Sequence, residues 1–225
     1  MNQSARQLLL KRLEDERSKR VIFVSHCLLN ENTRYLGGAF RPGCLDELVD
    51  RFQQEEIGIC QMHCPEQRAW GGVLKRYMLP IYSSRGTMLY RLRHMLLPLF
   101  LFYTRWIYRR LAKEVVGDIE DYVRSGFEVV GMVGVGGSPS CGVWSGLDLR
   151  RSLEVAAGCP LTRLGRRVMN EEVVAACLSE GEGLFVAAIQ RELKRKRLSI
   201  RWFEHDLLSE IRGQPLRLRT KRERI

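Results

Sequence analysis

The sequence predicts an α/β protein: a small, mostly parallel sheet with flanking helices and an inserted long helical segment that is both basic and apolar. Three observations predict it. Short β-branched apolar runs alternate with stretches of helical periodicity, the order in which parallel strands and crossover helices follow one another. Three of those runs read as strands that each end in a cysteine, Cys27, Cys64 and Cys141. At 225 residues, 45% apolar and with seven prolines, the chain can bury one sizeable core, and it carries no repeat or low-complexity segment.

Residues 3–19 read as a charged helix. From Arg20, "RVIFVSH" is a buried strand. "LLNENTRYLGGAFRPG" has the Asn, Gly and Arg content of a loop that touches a ligand, and a helical pattern covers 45–52. "IGICQMHC", 57–64, is the second strand, closed by Pro65 and Glu66 because proline offers no further ladder donor. A loop of mixed composition follows "WGGVLKR". Residues 87–124 are predominantly helical, interrupted by Pro98 and Gly117. "FEVVGMVGVGG" is the third strand and runs into "GVGGSPSCGVW", 134–144. "LDLRRSLEVA" and "GLFVAAIQRELKRKR" read as helices, and "LSIRWFEHDL" supplies a last short strand. The organisation expected is a charged helix at 1–19, one domain over 20–208 with a helical insertion at about 85–125, and a basic tail at 209–225.

The glycine-rich stretch at 134–144 is tested against its rivals. A phosphate-binding P-loop needs Lys and a hydroxyl after its second glycine, but Gly142 is followed by Val143 and Trp144. A dinucleotide fingerprint fails on spacing, because Pro139 breaks the run that Gly134 and Gly136 begin. A nucleophilic Cys141 would need a base, and His26, His63, His94 and His205 are the candidates. Metal ligation explains more. In an open parallel sheet, ligands bind beyond the carboxyl ends of the strands, so Cys27, Cys64 and Cys141 can meet although they stand 37 and 77 residues apart.

"VSHCLLNENTRYLGG", "CQMHCPEQRAWGG" and "GVGGSPSCG" resemble the three signature segments of the thiouracil desulfidase family. The forms "SHCLLN" and "WGGVLKR", the inserted helix and "SGFEVVGMVGVGGSPSCGV" are similar to its TudS-related branch. The resemblance covers residues 20–208 and implies a hydrolase-like desulfidase whose 4Fe-4S cluster has three protein ligands and one open iron. By position the ligands are Cys27, Cys64 and Cys141. Thiolates suit such clusters, and an iron without a protein thiolate acts as a Lewis acid toward a thiocarbonyl sulfur. The implied reaction is a non-redox exchange of sulfur for oxygen on a thiouracil-like nucleobase. Glu66 is the expected acid/base, with Ser140 and then Ser138 beside it, and Asn30, Asn32, Arg34 and Tyr35 are expected to line the substrate pocket. His26 and Asn30 stand where typical members of the family carry alanine and glycine, and those typical members lack the long insertion.

Charge supplies the alternative. Lys and Arg number 37 against 26 Asp and Glu, a net charge of +11. Seven basic residues and no acidic one lie between Arg85 and Lys113, with further basic runs in "RELKRKRLSIR" and the tail. Such an excess suits a nucleic-acid or other polyanion-binding module with structural cysteines, in which Cys60, His63 and Cys64 of "CQMHC" read as half of a zinc site, although no paired C-x-x-C or H-x-x-x-H partner appears elsewhere in the sequence. Against it stand the lack of a recognised nucleic-acid motif and of aromatics interleaved with the basic tail. Seven cysteines, an odd number, behind a charged opening with Arg6, Lys11 and Arg12 indicate a reducing, cytoplasmic setting without a signal peptide. Cys44, Cys159 and Cys177 read as ordinary packing or turn residues.

Within 88–113 the longest uncharged stretch, 94–104, is 11 residues, too short to span a bilayer. Leu92, Met95, Leu99, Phe102 and Trp106 recur at helical spacing, with Arg105, Arg109 and Lys113 on another face. The pattern fits a helix lying on a membrane surface, and equally one that packs on a core or forms a homodimer. Packing is the expected use, because apolar stripes usually face cores.

Overall fold

A computed structural model of the chain describes residues 3–77 and 88–220. Its centre is a five-stranded sheet in the order β2-β1-β3-β6-β7. β1 (Arg20–Val24) pairs in parallel with β2 (Gly58–Gln61) and with β3 (Glu128–Val135), and β3 pairs in parallel with β6 (Trp202–His205). β7 (Leu218–Arg219) adds an antiparallel edge against β6. The central strands are near-continuous apolar runs because helices cover both faces of a parallel sheet. Val21, Ile22, Phe23 and Val24 are all buried, as are Met132, Val133 and Val135.

The helices follow from the sequence in turn. α1 (Gln3–Arg12) stops at Arg12, short of the expected 3–19, and Asp15 instead holds the Arg17 guanidinium and backbone N–H in a local turn. The short helix α2 (His26–Leu29) follows β1, and α3 (Asp46–Gln54) buries Leu48 and Phe52. α4 (Pro65–Ala69) starts with proline at its first position, where no N–H is required.

The long helix α5 (Met88–Arg124) runs unbroken through Pro98 and Gly117, where the sequence suggests interruptions. Pro98 removes the donor for the His94 carbonyl, but both residues are exposed, so water can take that place. The expected start of this insertion at about 85 lies outside the described residues. So does the end of the expected tail, 221–225.

After β3 come β4 (Ser145–Leu147), α6 (Leu149–Gly158) and a π-helical stretch at Val168–Val174. The single turn α7 (Ala175–Cys177) and β5 (Leu178–Glu180), antiparallel to β4, complete this segment. α8 (Leu184–Arg195) packs along α5, where Tyr108 and Phe185 meet edge to face at 5.8 Å. α9 (Leu207–Ile211) and β7 replace the first part of the expected basic tail. This segment is structural because Arg219 is buried against Glu204 at 2.6 Å.

Tight packing of the 134–144 loop makes Gly142 indispensable. A Cβ there would overlap the Ser145 carbonyl oxygen and stand 2.9 Å from that of Ser138, both backbone atoms. Gly142→Ala is expected to lower stability by ~3 kcal/mol, in the range of core overpacking. Gly117→Ala, in open space inside α5, is expected to be neutral or to stabilise by ~0.5 kcal/mol. Thermal melts of the two variants check both signs.

Candidate functional site

Because β2, β1 and β3 are adjacent and parallel, their carboxyl ends deliver Cys64, Cys27 and Cys141 to one place. All three line a single cleft with a cavity of about 70 Å³. None lies in a strand. Cys27 sits in α2, Cys64 is the N-cap of α4, accepting the Gln67 N–H at 3.4 Å, and Cys141 follows the turn after β3. Cys64 and Cys141 are 7% and 6% exposed.

The remaining cleft residues divide by chemistry. Trp70, Pro65, Pro139, Leu147 and Met169 give it a mainly apolar wall. The polar groups concentrate beside the cysteines. Ser140 Oγ donates to Glu66 Oε1 at 2.8 Å, so the Ser138–Ser140 contact at 3.1 Å has Ser138 as donor. Ser138 Oγ in turn accepts the Cys141 N–H at 3.0 Å. On its other side Glu66 faces Lys75 Nζ at 3.5 Å, and Lys75 also donates to the Thr33 carbonyl at 2.5 Å. The result is a directed chain from the Cys141 backbone through two hydroxyls to a carboxylate held by a buried ammonium.

Burial and neighbouring charge set the thiols. Burial pushes Cys64 up to about 12, with the Glu66 carboxylate adding to it. Burial, then the charges of Cys27 and Cys64, raise Cys141 well above the ordinary thiol range. Burial raises Cys27 as well, opposed by Arg34 and Lys75. Left to themselves these thiols stay protonated, which disfavours a lone nucleophile. A bound cationic group reverses that, because a coordinating thiol is deprotonated outright. Three thiols are the donor type that an iron-sulfur cluster takes, and the positive charges of Arg34 and Lys75 act on Cys27. Among the described residues no three His, Cys, Asp or Glu side chains stand ready to share one metal ion. A cluster asks for a different spacing, since each thiolate takes a different iron.

Arg34 and Tyr35 line the cleft. Arg34 Nη1 donates to Glu210 Oε2 at 2.5 Å, while its Nε is buried without a hydrogen-bond partner. Burial works against the carboxylate of Glu210, but the hydrogen bond from His205 and the charge of Arg34 hold its pKa well below the usual range. The Tyr35 hydroxyl donates to Asn170 Oδ1 at 2.6 Å. Asn30 and Asn32 are not among the residues lining the cleft. Asn30 Oδ1 accepts the Asn32 N–H at 3.2 Å and its side-chain amide at 2.9 Å, which caps the short 3₁₀ turn Glu31–Thr33. His26 lines the cleft with burial lowering its pKa, and its Nδ1 donates to the Met62 carbonyl at 3.1 Å. Cys60 lies outside the cleft, with Sγ 3.6 Å from the Tyr122 hydroxyl.

Two site residues escape sequence reasoning. Lys75 occupies a left-handed turn position, φ 51°, inside "WGGVLKR", and that segment carries no sign that its lysine is buried. Tyr108 comes from the core side of α5, 1% exposed. Its hydroxyl is buried without a hydrogen-bond partner among the described residues, and burial, then the charges of Glu66, Cys141 and Cys64, raise its pKa well above the usual range. The same helix supplies Thr104, whose Oγ1 accepts from Trp70 Nε1 at 3.2 Å. The insertion thus packs behind Trp70, a residue of the cleft wall, without itself lining the cleft. Comparison of the chain with family models, with curated proteins and with solved structures gives no match.

Proposed function

We propose that the chain is an iron-sulfur-dependent desulfidase that replaces the thiocarbonyl sulfur of a small thiolated compound, such as a thiouracil-like nucleobase, by oxygen. The observation that carries the reading is the Glu66 carboxylate, bracketed by Ser140 and Lys75, in the cleft that the three cysteines line. A 4Fe-4S cluster held by Cys27, Cys64 and Cys141 supplies, when bound, an open iron that draws electron density from a C=S bond.

The chain's own residues do the rest. The apolar wall of Trp70, Pro65 and Met169 takes a planar ring and keeps bulk water away from it. Arg34, on the cleft wall, sets a positive charge beside a ring carbonyl. Glu66 removes a proton from the attacking water, and Lys75 holds its free oxygen in place. Ser138 and Ser140 aim the carboxylate and pass it hydrogen-bond donation from the Cys141 backbone. Water and thiocarbonyl give carbonyl and hydrogen sulfide, with no change in electron count.

Anaerobic purification with iron, sulfide and zinc quantified beside the visible spectrum tests this. About four irons with matching sulfide are expected. Cys27→Ala, Cys64→Ala and Cys141→Ala are each expected to lose the iron, and Cys44→Ala, more than a strand's length away in sequence and bonded to Asp46, to keep it. Equal iron in all four variants overturns the ligand assignment, and a colourless protein with one zinc favours polyanion binding with structural cysteines.

A further inference from the structure

We infer that the outer face of α5 is a docking surface for an anionic lipid bilayer. Met88, Leu92, Met95, Leu99, Phe102 and Trp106 follow one another at alternating steps of four and three residues, and every one of them is exposed, Phe102 to 74%. The stripe is ~27 Å long at 1.5 Å per residue. The opposite face of the same helix buries Leu97, Tyr108, Leu111, Ala112, Val115 and Ile119. Among the described residues the fold therefore uses one apolar face and leaves a second uncovered, which a surface helix of a soluble domain does not require.

Charge identifies the occupant. The sequence contains no Asp or Glu from 67 to 113. Arg91, Arg105, Arg109 and Lys113 are exposed on α5 around the stripe. A second copy on this face would set apolar residues against apolar ones but arginines against arginines, without the acidic flanking partners that a helix pair uses. An anionic bilayer satisfies both: acyl chains receive Phe102, Leu99 and Met95, headgroup phosphates receive the guanidinium groups, and Trp106 sits at the boundary where indoles concentrate. The helix lies in the plane of the surface, because no helix among the described residues is long and apolar enough to cross a membrane.

Flotation of the full chain with vesicles tests the assignment, using phosphatidylcholine containing phosphatidylglycerol against phosphatidylcholine alone. Binding to the anionic vesicles, weakened by salt, is expected, with a blue shift in the emission of Trp106, the one tryptophan in the exposed class. Phe102→Ser with Trp106→Ser is expected to reduce binding at least tenfold. Arg105→Gln and Arg109→Gln are each expected to cost about fivefold. All four side chains are exposed, so melting temperatures should not move. Recovery in the vesicle-free fraction with both lipids overturns the inference. So does a dimer in sedimentation that Phe102→Ser makes monomeric, since the face then belongs to a second copy.

Discussion

Glu66→Gln is expected to lower sulfide release from a thiolated pyrimidine by about 10²–10⁴-fold, the span that a positioned general base contributes, while iron content stays at the level of the unaltered protein. The glutamine oxygen can still accept from Ser140, as Glu66 Oε1 does at 2.8 Å, so the geometry survives. What disappears is a group able to take a proton from water, together with the carboxylate that neutralises Lys75. The cluster ligands are untouched, which separates a catalytic from a structural effect. Ser140→Ala should cost less, because it frees the carboxylate to turn without removing it. Rates of sulfide release per iron, measured for all three proteins, decide the matter. A Glu66→Gln protein as fast as the parent would move the base elsewhere, with His26 on the same cleft wall as an alternative.

The three cysteines were legible in the sequence because each follows an apolar run, and adjacent parallel strands carry their following residues to a common edge. Glu66 was legible for the same reason, two residues beyond Cys64. Lys75 and Tyr108 were not. A lysine is ordinarily solvated, and only the fold reveals that Lys75 ends on the Thr33 carbonyl and faces Glu66. Tyr108 belongs to a helix apolar on two faces, and periodicity cannot say which of them meets the core. The stripe expected to pack, Leu92 to Trp106 in steps of three and four, is the exposed one, and Leu97, Tyr108 and Ile119 pack instead. Asn30 and Asn32 mark the converse limit. Their residue types suit a ligand, but their local hydrogen bonds cap a turn.

Glu204→Ala is expected to be the most destabilising single change, by ~3–5 kcal/mol, the cost of breaking a buried ion pair on one side, and about 6–20 °C in melting temperature at this chain length. The carboxylate is 0% exposed. One oxygen accepts three successive backbone N–H groups, from Val143 at 2.7 Å, Trp144 at 2.7 Å and Ser145 at 3.0 Å. The other accepts the Ser145 hydroxyl at 2.8 Å and faces Arg219 Nη2 at 2.6 Å. Alanine leaves three amides without this acceptor, and the buried Arg219 guanidinium with only the Ser145 hydroxyl at 3.2 Å and Asp206 at 3.7 Å. Glutamine is expected to be nearly as damaging, since its amide must turn a donor toward one of two sets of donors. Adding Arg219→Met to Glu204→Gln should recover part of the loss by removing the stranded cation, and a double-mutant cycle of chemical melts measures how much. Because these amides begin two residues after Cys141, the same variant should bind iron poorly even where it remains folded. A Glu204→Ala protein with parental stability and iron content would mean that the Cys141 loop holds its shape without the carboxylate.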